Sequence, residues 1–420
     1  MSKKFQPKLS KVAKLRQPSP IRALMPLLKI PGMISLGGGL PNPELFPFEE
    51  MSFRLKDGTQ LSLEGADLAE ALQYSPTPGL PRLLRLLHTL QERFHGISSD
   101  DVAISVTTGS QDALWRVFEE FSDPGDAVVV ESPTYSGALA FLRPRQHELL
   151  SVETDAQGLI PDDLRNVLTR RKQQGGSMPR LLYTIPTGQN PSGRSTSTER
   201  KREIYEIARE FDLLIVEDDP YYFLAYADEP PTSYLSFDVD GRVLRLDSVS
   251  KLLSSGLRLG WVTGPSALVH QIDLLSQATS LHSCGVAQAA AASLLEHWGV
   301  DGFDEHVRQV KQFYQQRCDR MMRCIDTHLR NDKGDLMVEF DRPTAGMFVW
   351  MRLLQHSDSA ALINQDAVAK KVLLLPGQCF DPADHPTGYV RASFSTCSDE
   401  DMDEAMRRFG ALLRGDNSSE

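Results

Sequence analysis

The stretch DSVSKLLSSGLRLG, Asp247 to Gly260, sets Lys251 directly after Ser248 and Ser250 and seven residues before Arg258. A lysine at the end of a buried strand is costly to leave unpaired, and burial pushes its pKa down. An amine shifted in that way is nucleophilic near neutral pH, which is what Schiff-base chemistry with an aldehyde requires. Taken alone, such a lysine is far more often a solvated cap. The neighbours change the balance, because two hydroxyls and a forked guanidinium together suit a phosphate. The stretch therefore reads as a holder for an aldehyde that carries a phosphate.

Pyridoxal phosphate meets that description, and it requires further parts elsewhere in the chain. Its phosphate should meet a helix N-terminus, and TTGSQDAL offers one in which Gly109 lets the backbone approach while Ser110 and Gln111 open the helix. On its own this pattern is an ordinary helix cap. Its pyridine nitrogen should face a carboxylate that keeps it protonated. VEDDPYY offers Asp218 or Asp219 at a strand end, with Tyr221 placed to reach the phenolic oxygen. Two acids before a proline are equally good turn chemistry.

The elements that must position these groups follow α/β alternation. The runs Asp126–Pro133, Arg180–Pro186, Asp212–Asp219 and Arg242–Ser250 read as strands buried on both faces. Between them, Leu114, Val117, Phe118 and Phe121 form one helical stripe, and Ile204, Ile207, Ala208 and Phe211 form another. Thr196 with Glu199 reads as a capping box for the second. A long helix is expected from Glu305 to Leu329, followed by strands in VEFDRPTAGMFVWM, KKVLLLPG and YVRASFS and a closing helix from Asp399 to Leu413. These later elements point to a second, smaller domain.

Composition bounds the function. A chain of 420 residues with 41% hydrophobic content can bury two substantial cores. A net charge of −11 with interspersed signs argues against nucleic acid as the main partner. No apolar run reaches bilayer length and no secretory signal is present, so the expectation is a soluble intracellular protein without a membrane partner. Lys3, Lys4, Lys8, Lys11, Lys14 and Arg16 precede the first acidic residue, Glu44. That segment reads as a solvated arm, with a mitochondrial presequence as the alternative. Cys284, Cys318, Cys324, Cys379 and Cys397 lack metal-ligand spacing and are expected to be free, buried thiols; no metal is expected.

With these pieces assembled, the chain resembles the fold-type-I, pyridoxal-phosphate-dependent aminotransferases of class I/II, and most of all the branch of kynurenine/2-aminoadipate and fungal aromatic aminotransferases. The matching segments are PSPIRALMPLL, ISLGGGLPNPELFPF, LQYSPTPGLPRL, TTGSQDAL, ESPTYSG, YTIPTGQNPSG, EDDPYYFL, DSVSKLLSSGLRLGWVTGP and YVRASFS, from about Pro18 to Ser395. The resemblance implies an α/β fold. It has a large domain, 51–300, with a mostly parallel seven-stranded sheet flanked by helices, a smaller α+β domain, 301–420, and an arm and lid segment, 1–50, packing with the smaller domain.

Residue by residue, it implies that Lys251 forms the internal aldimine and Asp218 pairs with the pyridine nitrogen. Asn190 and Tyr221 would bond the phenolic oxygen, and Tyr135 would stack on the ring. Ser110, Gln111, Ser248, Ser250 and Arg258 would hold the phosphate, joined by Tyr74 from a second subunit of a homodimer. Arg391 would grip the substrate carboxylate, helped by Asn190 and the Gly39 backbone, with Arg22 a candidate for side-chain recognition. The Asn190–Pro191 bond is expected to be cis. Where animal members carry an Asn-Gly-Asn-Asn run, this chain has Thr187, Gly188, Gln189 and Asn190.

The implied reaction is transamination between an aromatic L-amino acid (tryptophan, phenylalanine, tyrosine or kynurenine) or 2-aminoadipate and a 2-oxo acid such as 2-oxoglutarate. It would run by a ping-pong mechanism in the cytoplasm or, if the basic segment is a presequence, the mitochondrion. The alternative on the same scaffold is a carbon–sulfur or other β-eliminating lyase. A ligand-sensing regulator is less favoured, because too few residues precede Pro18 for a DNA-binding module.

Overall fold

The computed structural model describes residues 5–20, 27, 30–34, 36–37, 39–98 and 102–416. In chain order its strands are β1 (Glu50–Arg54), β2 (Gln60–Glu64), β3 (Ala103–Thr107), β4 (Ala127–Ser132), β5 (Glu148–Asp155), β6 (Gly158–Leu159), β7 (Leu181–Thr184), β8 (Leu214–Asp218), β9 (Val243–Ser248), β10 (Gly260–Gly264), β11 (Val338–Phe340), β12 (Phe348–Leu353), β13 (Leu375–Pro376) and β14 (Tyr389–Ser393). The chain groups into two compact units.

The first unit comprises 1–123, 212–220 and 232–306. Its strands lie in the order β3-β10-β9-β8, with β8 and β9 parallel and β10 antiparallel to both β9 and β3. Every residue of β8 and β9 is buried, as strands covered on both faces require. The helix Ser110–Phe121 lays Leu114, Val117, Phe118 and Phe121 against these strands, all of them buried. β1 and β2 form a separate antiparallel hairpin. Of the basic segment, the described part docks only at points: Ser10 and Ala13 are buried, the Lys11 amide donates to Asp123 and Arg16 pairs with Glu120 at 2.8 Å, while Lys8, Lys11 and Lys14 stay exposed.

The second unit comprises 124–211, 221–231 and 307–420. Here β4 runs parallel to β5 and to β7, and the two-residue β6 pairs antiparallel with β5. With β6 set aside, the two units hold the seven strands expected of the large sheet. A further antiparallel sheet has the order β11-β12-β14-β13.

Several sequence expectations shift. The span Gly285–His328 holds two helices that meet at a kink at Gly299, so the expected long helix begins somewhat before Glu305 and a further helix precedes it. The cap of the helix Thr198–Glu210 is Ser197, whose side chain accepts from the Arg200 amide, while Thr196 is buried against Gly158. Of KKVLLLPG only Leu375–Pro376 is strand: a π-helix, Leu362–Ala367, precedes it, and Lys371 adopts a φ of 58° that breaks the extended run. Cys318 and Cys324 fill the core, but Cys284 and Cys379 are exposed, contrary to the expectation of burial. Among the described residues no helix is long and apolar enough to cross a membrane.

Candidate active site

The first unit builds an anion cradle from three strand ends. β10 begins at Gly260, which pairs with Thr107 at the end of β3 on one side and with Ser248 at the end of β9 on the other. A Cβ on Gly260 would lie 2.7 Å from the Asp247 carbonyl oxygen, from the Gly109 carbonyl carbon and from the Ser110 nitrogen. Only glycine lets the end of β9 and the start of the helix Ser110–Phe121 come so close. That helix has Gly109 at its N-cap, with φ 86° and no side chain capping it, so its first turn presents backbone donors to an anion.

The loop after β9 carries Ser250, the half-buried Lys251 and Arg258. Its two ends are tied by the Val249 amide, which donates to the Leu259 carbonyl. The Ser248 hydroxyl accepts from the Ser250 amide at 3.1 Å. Arg258 takes a φ of 52°, unusual for a side-chain-bearing residue, and its guanidinium lies against Gly109. Its Nη1 donates to the Ser255 carbonyl at 3.0 Å and its Nη2 to the Thr108 carbonyl at 3.4 Å. Ser110, Gln111, Ser248, Ser250, Lys251 and Arg258 thus belong to one unit and one group of strand ends.

The same strands separate the two adjacent aspartates. Side chains alternate along a strand, so Glu217 and Asp219 share a face with Arg245 and Asp247, while Asp218 points to the other face with Leu246 and Ser248. On the first face Arg245, wholly buried, meets Asp219 and Asp247 at 2.9 Å and Glu217 at 3.3 Å. Burial pushes the Asp247 carboxyl up despite the guanidinium beside it. Asp219 is therefore committed to a structural ion cluster. Asp218, itself buried, ends β8 on the face that carries Ser248.

Tyr74 is 47% exposed and meets His282 edge-on at 6.1 Å. Gly39 is exposed with open space around it. Arg22 lies outside the described residues.

The second unit builds a different receptor around Arg391. This residue sits in β14, opposite Trp350 of β12 and Leu375 of β13. Its guanidinium carbon stands 4.2 Å from the Phe348 ring centroid and 5.1 Å from that of Phe380. Nη1 donates to the Asn190 Oδ1 at 2.8 Å, while Nε is buried with no hydrogen-bond partner among the described residues. Burial holds the guanidinium below the ordinary arginine value, with Tyr221, Tyr135 and Cys379 acting against that shift. No carboxylate among the described residues pairs with it. A half-satisfied fork of this kind has the chemistry to accept a carboxylate.

Around it, Tyr221 is buried and edge-on to Phe348 at 6.0 Å. Tyr135 lies across Gly137, where a Cβ would collide with the ring. Asn190 is buried, and its bond to Pro191 is cis. Gly188, with φ 53°, packs its Cα against a neighbouring turn: a Cβ there would lie 2.8 Å from the Ala345 carbonyl carbon and from the Gly346 nitrogen.

A sequence profile of the family described as aminotransferase class I and II matches residues 48–409. The chain belongs to that family. This aminotransferase is 40% identical over 414 residues to the mitochondrial kynurenine/alpha-aminoadipate aminotransferase of Rattus norvegicus, covering 95% of this chain and 96% of the relative. Its fold matches the crystal structure of aminotransferase Aro8 from Candida albicans with a TM-score of 0.86 at 29% identity, covering 98% of this chain and 99% of that one. It also matches LysN, the alpha-aminoadipate aminotransferase of Thermus thermophilus complexed with N-(5'-phosphopyridoxyl)-L-leucine, with a TM-score of 0.73 at 31% identity over 97% of each chain.

The aminotransferase is thus a pyridoxal-phosphate-dependent transaminase of fold type I. The cradle suits that cofactor's phosphate: the glycine N-cap leaves the helix start open, and Arg258 brings a cation to it. Sequence reasoning missed Glu131 and Arg245, although an ionisable residue inside a fully apolar strand signals both. Phe380 escaped notice as well.

Proposed function

We propose that this aminotransferase moves the amino group of an aromatic L-amino acid or of 2-aminoadipate to a 2-oxo acid such as 2-oxoglutarate, by a ping-pong mechanism. The names of the rat and Thermus relatives support the donor class. The observation that carries the reading is Arg391, half-buried, held at Nη1 by Asn190, with its Nε buried and without a hydrogen-bond partner among the described residues. It would grip the α-carboxylate that donor and acceptor share, helped by the Gly39 backbone, with Arg22 a candidate at the side chain.

Bound pyridoxal phosphate supplies the electron sink for the bond broken at the amino acid's α-carbon. The Lys251 amine would hold the cofactor's aldehyde carbon at rest and, once displaced, carry the proton from the substrate Cα. Asp218 would keep the pyridine nitrogen protonated. Tyr221 and Asn190 would bond the phenolic oxygen, and Tyr135 would cover the ring. Ser110, Gln111, Ser248, Ser250 and Arg258 would fix the phosphate, with Tyr74 of a second copy. By holding the carboxylate, Arg391 leaves the C–H bond as the one that breaks, which selects transamination over decarboxylation.

A homodimer is supported by the exposed Ile34, Leu36, Leu45 and Tyr74, apolar or aromatic surface that a second copy would cover. We read the compartment as the cytoplasm, with the mitochondrion the alternative that the rat relative's name and the basic N-terminal segment suggest. The relatives named here are all aminotransferases and lend the lyase alternative no support.

The test is the visible spectrum of the holoenzyme before and after adding L-tryptophan, L-kynurenine or L-2-aminoadipate without oxo acid. Loss of the yellow band with release of the matching 2-oxo acid supports the reading. An unchanged band with all three refutes the donor class, and pyruvate released from a cysteine conjugate would restore the lyase.

A further inference from the structure

β4 ends in a carboxylate that no apolar strand needs. Glu131 is wholly buried, and all its partners are donors. Its Oε1 accepts from the Thr184 hydroxyl at 2.6 Å, and its Oε2 accepts from the Ile185 amide at 3.3 Å and from the Gln189 Nε2 at 3.2 Å. Gln189 does more than meet Glu131. Its Nε2 also donates to the Pro133 carbonyl at 2.7 Å, and its Oε1 accepts from the Ser192 amide at 2.9 Å. Its backbone closes the turn, with the Gln189 amide donating to the Arg194 carbonyl at 2.8 Å and the Gly193 amide donating back to the Gln189 carbonyl at 2.6 Å. Asn190 rides on this turn.

Arg391 meets that turn at one end and, through Phe380, the segment after β4 at the other. Asn190 holds its Nη1, and Phe380, which it faces, accepts through its own carbonyl from the Thr134 amide at 2.9 Å. Thr134 follows Glu131 by three residues, across Pro133, the second acceptor of Gln189.

We propose that Glu131 is a positioning residue for substrate binding: through Gln189 it fixes the turn that presents Asn190 to Arg391, and so sets the angle at which the guanidinium meets a substrate carboxylate. The inference rests on Arg391 being the carboxylate grip. A carboxylate suits this place better than an apolar residue because three donors converge on it; removing it would leave the Thr184 hydroxyl and the Ile185 amide without this acceptor and Gln189 Nε2 with the Pro133 carbonyl alone. A role confined to stabilising β4 and β7 would need only the contacts to Thr184 and Ile185. The bond to Gln189 extends the chain of contacts to the turn, and burial, which pushes the Glu131 carboxyl up to about 7, shows how far that charge is taken from water.

The test uses holoenzyme variants and four readings: KM for the amino donor, KM for the oxo acid, kcat and the dissociation constant of pyridoxal phosphate. Glu131→Leu and Gln189→Ala should each raise both KM values about tenfold, with kcat and cofactor affinity much less affected, because both substrates present their carboxylate to the same arginine. Glu131→Gln should keep both KM values within about threefold, since its amide oxygen can accept from Ile185 and Gln189 while its nitrogen donates to Thr184. If Glu131→Leu does not fold, Gln189→Ala carries the test, because it leaves Glu131 on Thr184 and Ile185. KM values unchanged in Gln189→Ala, while Arg391→Ala raises both, would overturn the positioning role and leave the grip intact. KM values unchanged in Arg391→Ala would overturn the grip and this inference with it.

Discussion

Arg258 lies so close over Gly109 that a Cβ on the glycine would sit 2.6 Å from the guanidinium Nη2. The glycine also holds a φ of 86°, which an alanine adopts only under strain. Gly109→Ala must therefore displace a guanidinium that reaches the open start of the helix Ser110–Phe121. The expected result is a rise of about tenfold or more in the dissociation constant of pyridoxal phosphate, read by titrating apoenzyme. An unchanged constant would remove Arg258 from the cradle.

Asp218 and Asp219 are neighbours in sequence on opposite faces of β8, and their asparagine variants should separate function from structure. Asp218→Asn should slow turnover by about a hundredfold or more at saturating cofactor, as loss of a preorganised charge does. Asp219→Asn leaves Arg245 with Glu217 and Asp247, so turnover should stay within about threefold. The reverse pattern in steady-state kinetics would exchange the two assignments.

Lys251→Ala should still take up pyridoxal phosphate through the cradle, but without the spectrum of a lysine-linked cofactor. Turnover should fall by about a hundred- to ten-thousandfold, the usual worth of a positioned proton carrier, or more. Near-normal activity would sink the assignment.

Glu131 and Glu120 are acids that burial pushes from 4.5 up to about 7. Between those values the folded protein holds protons that the unfolded chain has released, so stability falls as pH rises through this window and the loss is complete above about 7. Glu131→Gln removes one such proton. Its melting temperature should therefore change less than the parent's between about pH 5 and about pH 8. Parallel curves for the two proteins would show that Glu131 keeps an ordinary carboxyl pKa.

The cradle was legible because its parts are local. A strand end, a glycine, two serines, a lysine and an arginine lie within the span from Asp247 to Gly260, and register brings Gly109 to them. Asp218 and Asp219 could not be told apart by motif, yet the alternation of Arg245 with Asp247 held the answer, since a buried arginine needs its acids on its own face. The helix ahead of Gly299 went unread because GVAQAAAASLLEHW is rich in alanine and shows no sharp stripe, and Gly299 then breaks the pattern before the long helix begins. KKVLLLPG has strand composition, but a turn at Lys370 and Lys371, the latter at φ 58°, delays sheet pairing until Leu375–Pro376. The Glu131–Gln189 bond joins residues 58 apart. Nothing in local periodicity announces a contact of that range.

Gly188 and Gly346 face one another with no volume to spare, the Gly346 position lying within 3.0 Å of the Gly188 carbonyl oxygen for any added Cβ. For adaptive drift this pair acts as a ratchet. Any lineage that shifts donor preference by altering the turn around Asn190 must first pass through a variant with two backbones forced apart. New specificities should therefore arise by exchange of side chains elsewhere, and a library that randomises codons 188 and 346 should return glycine at both, whatever amino acid it is selected to use.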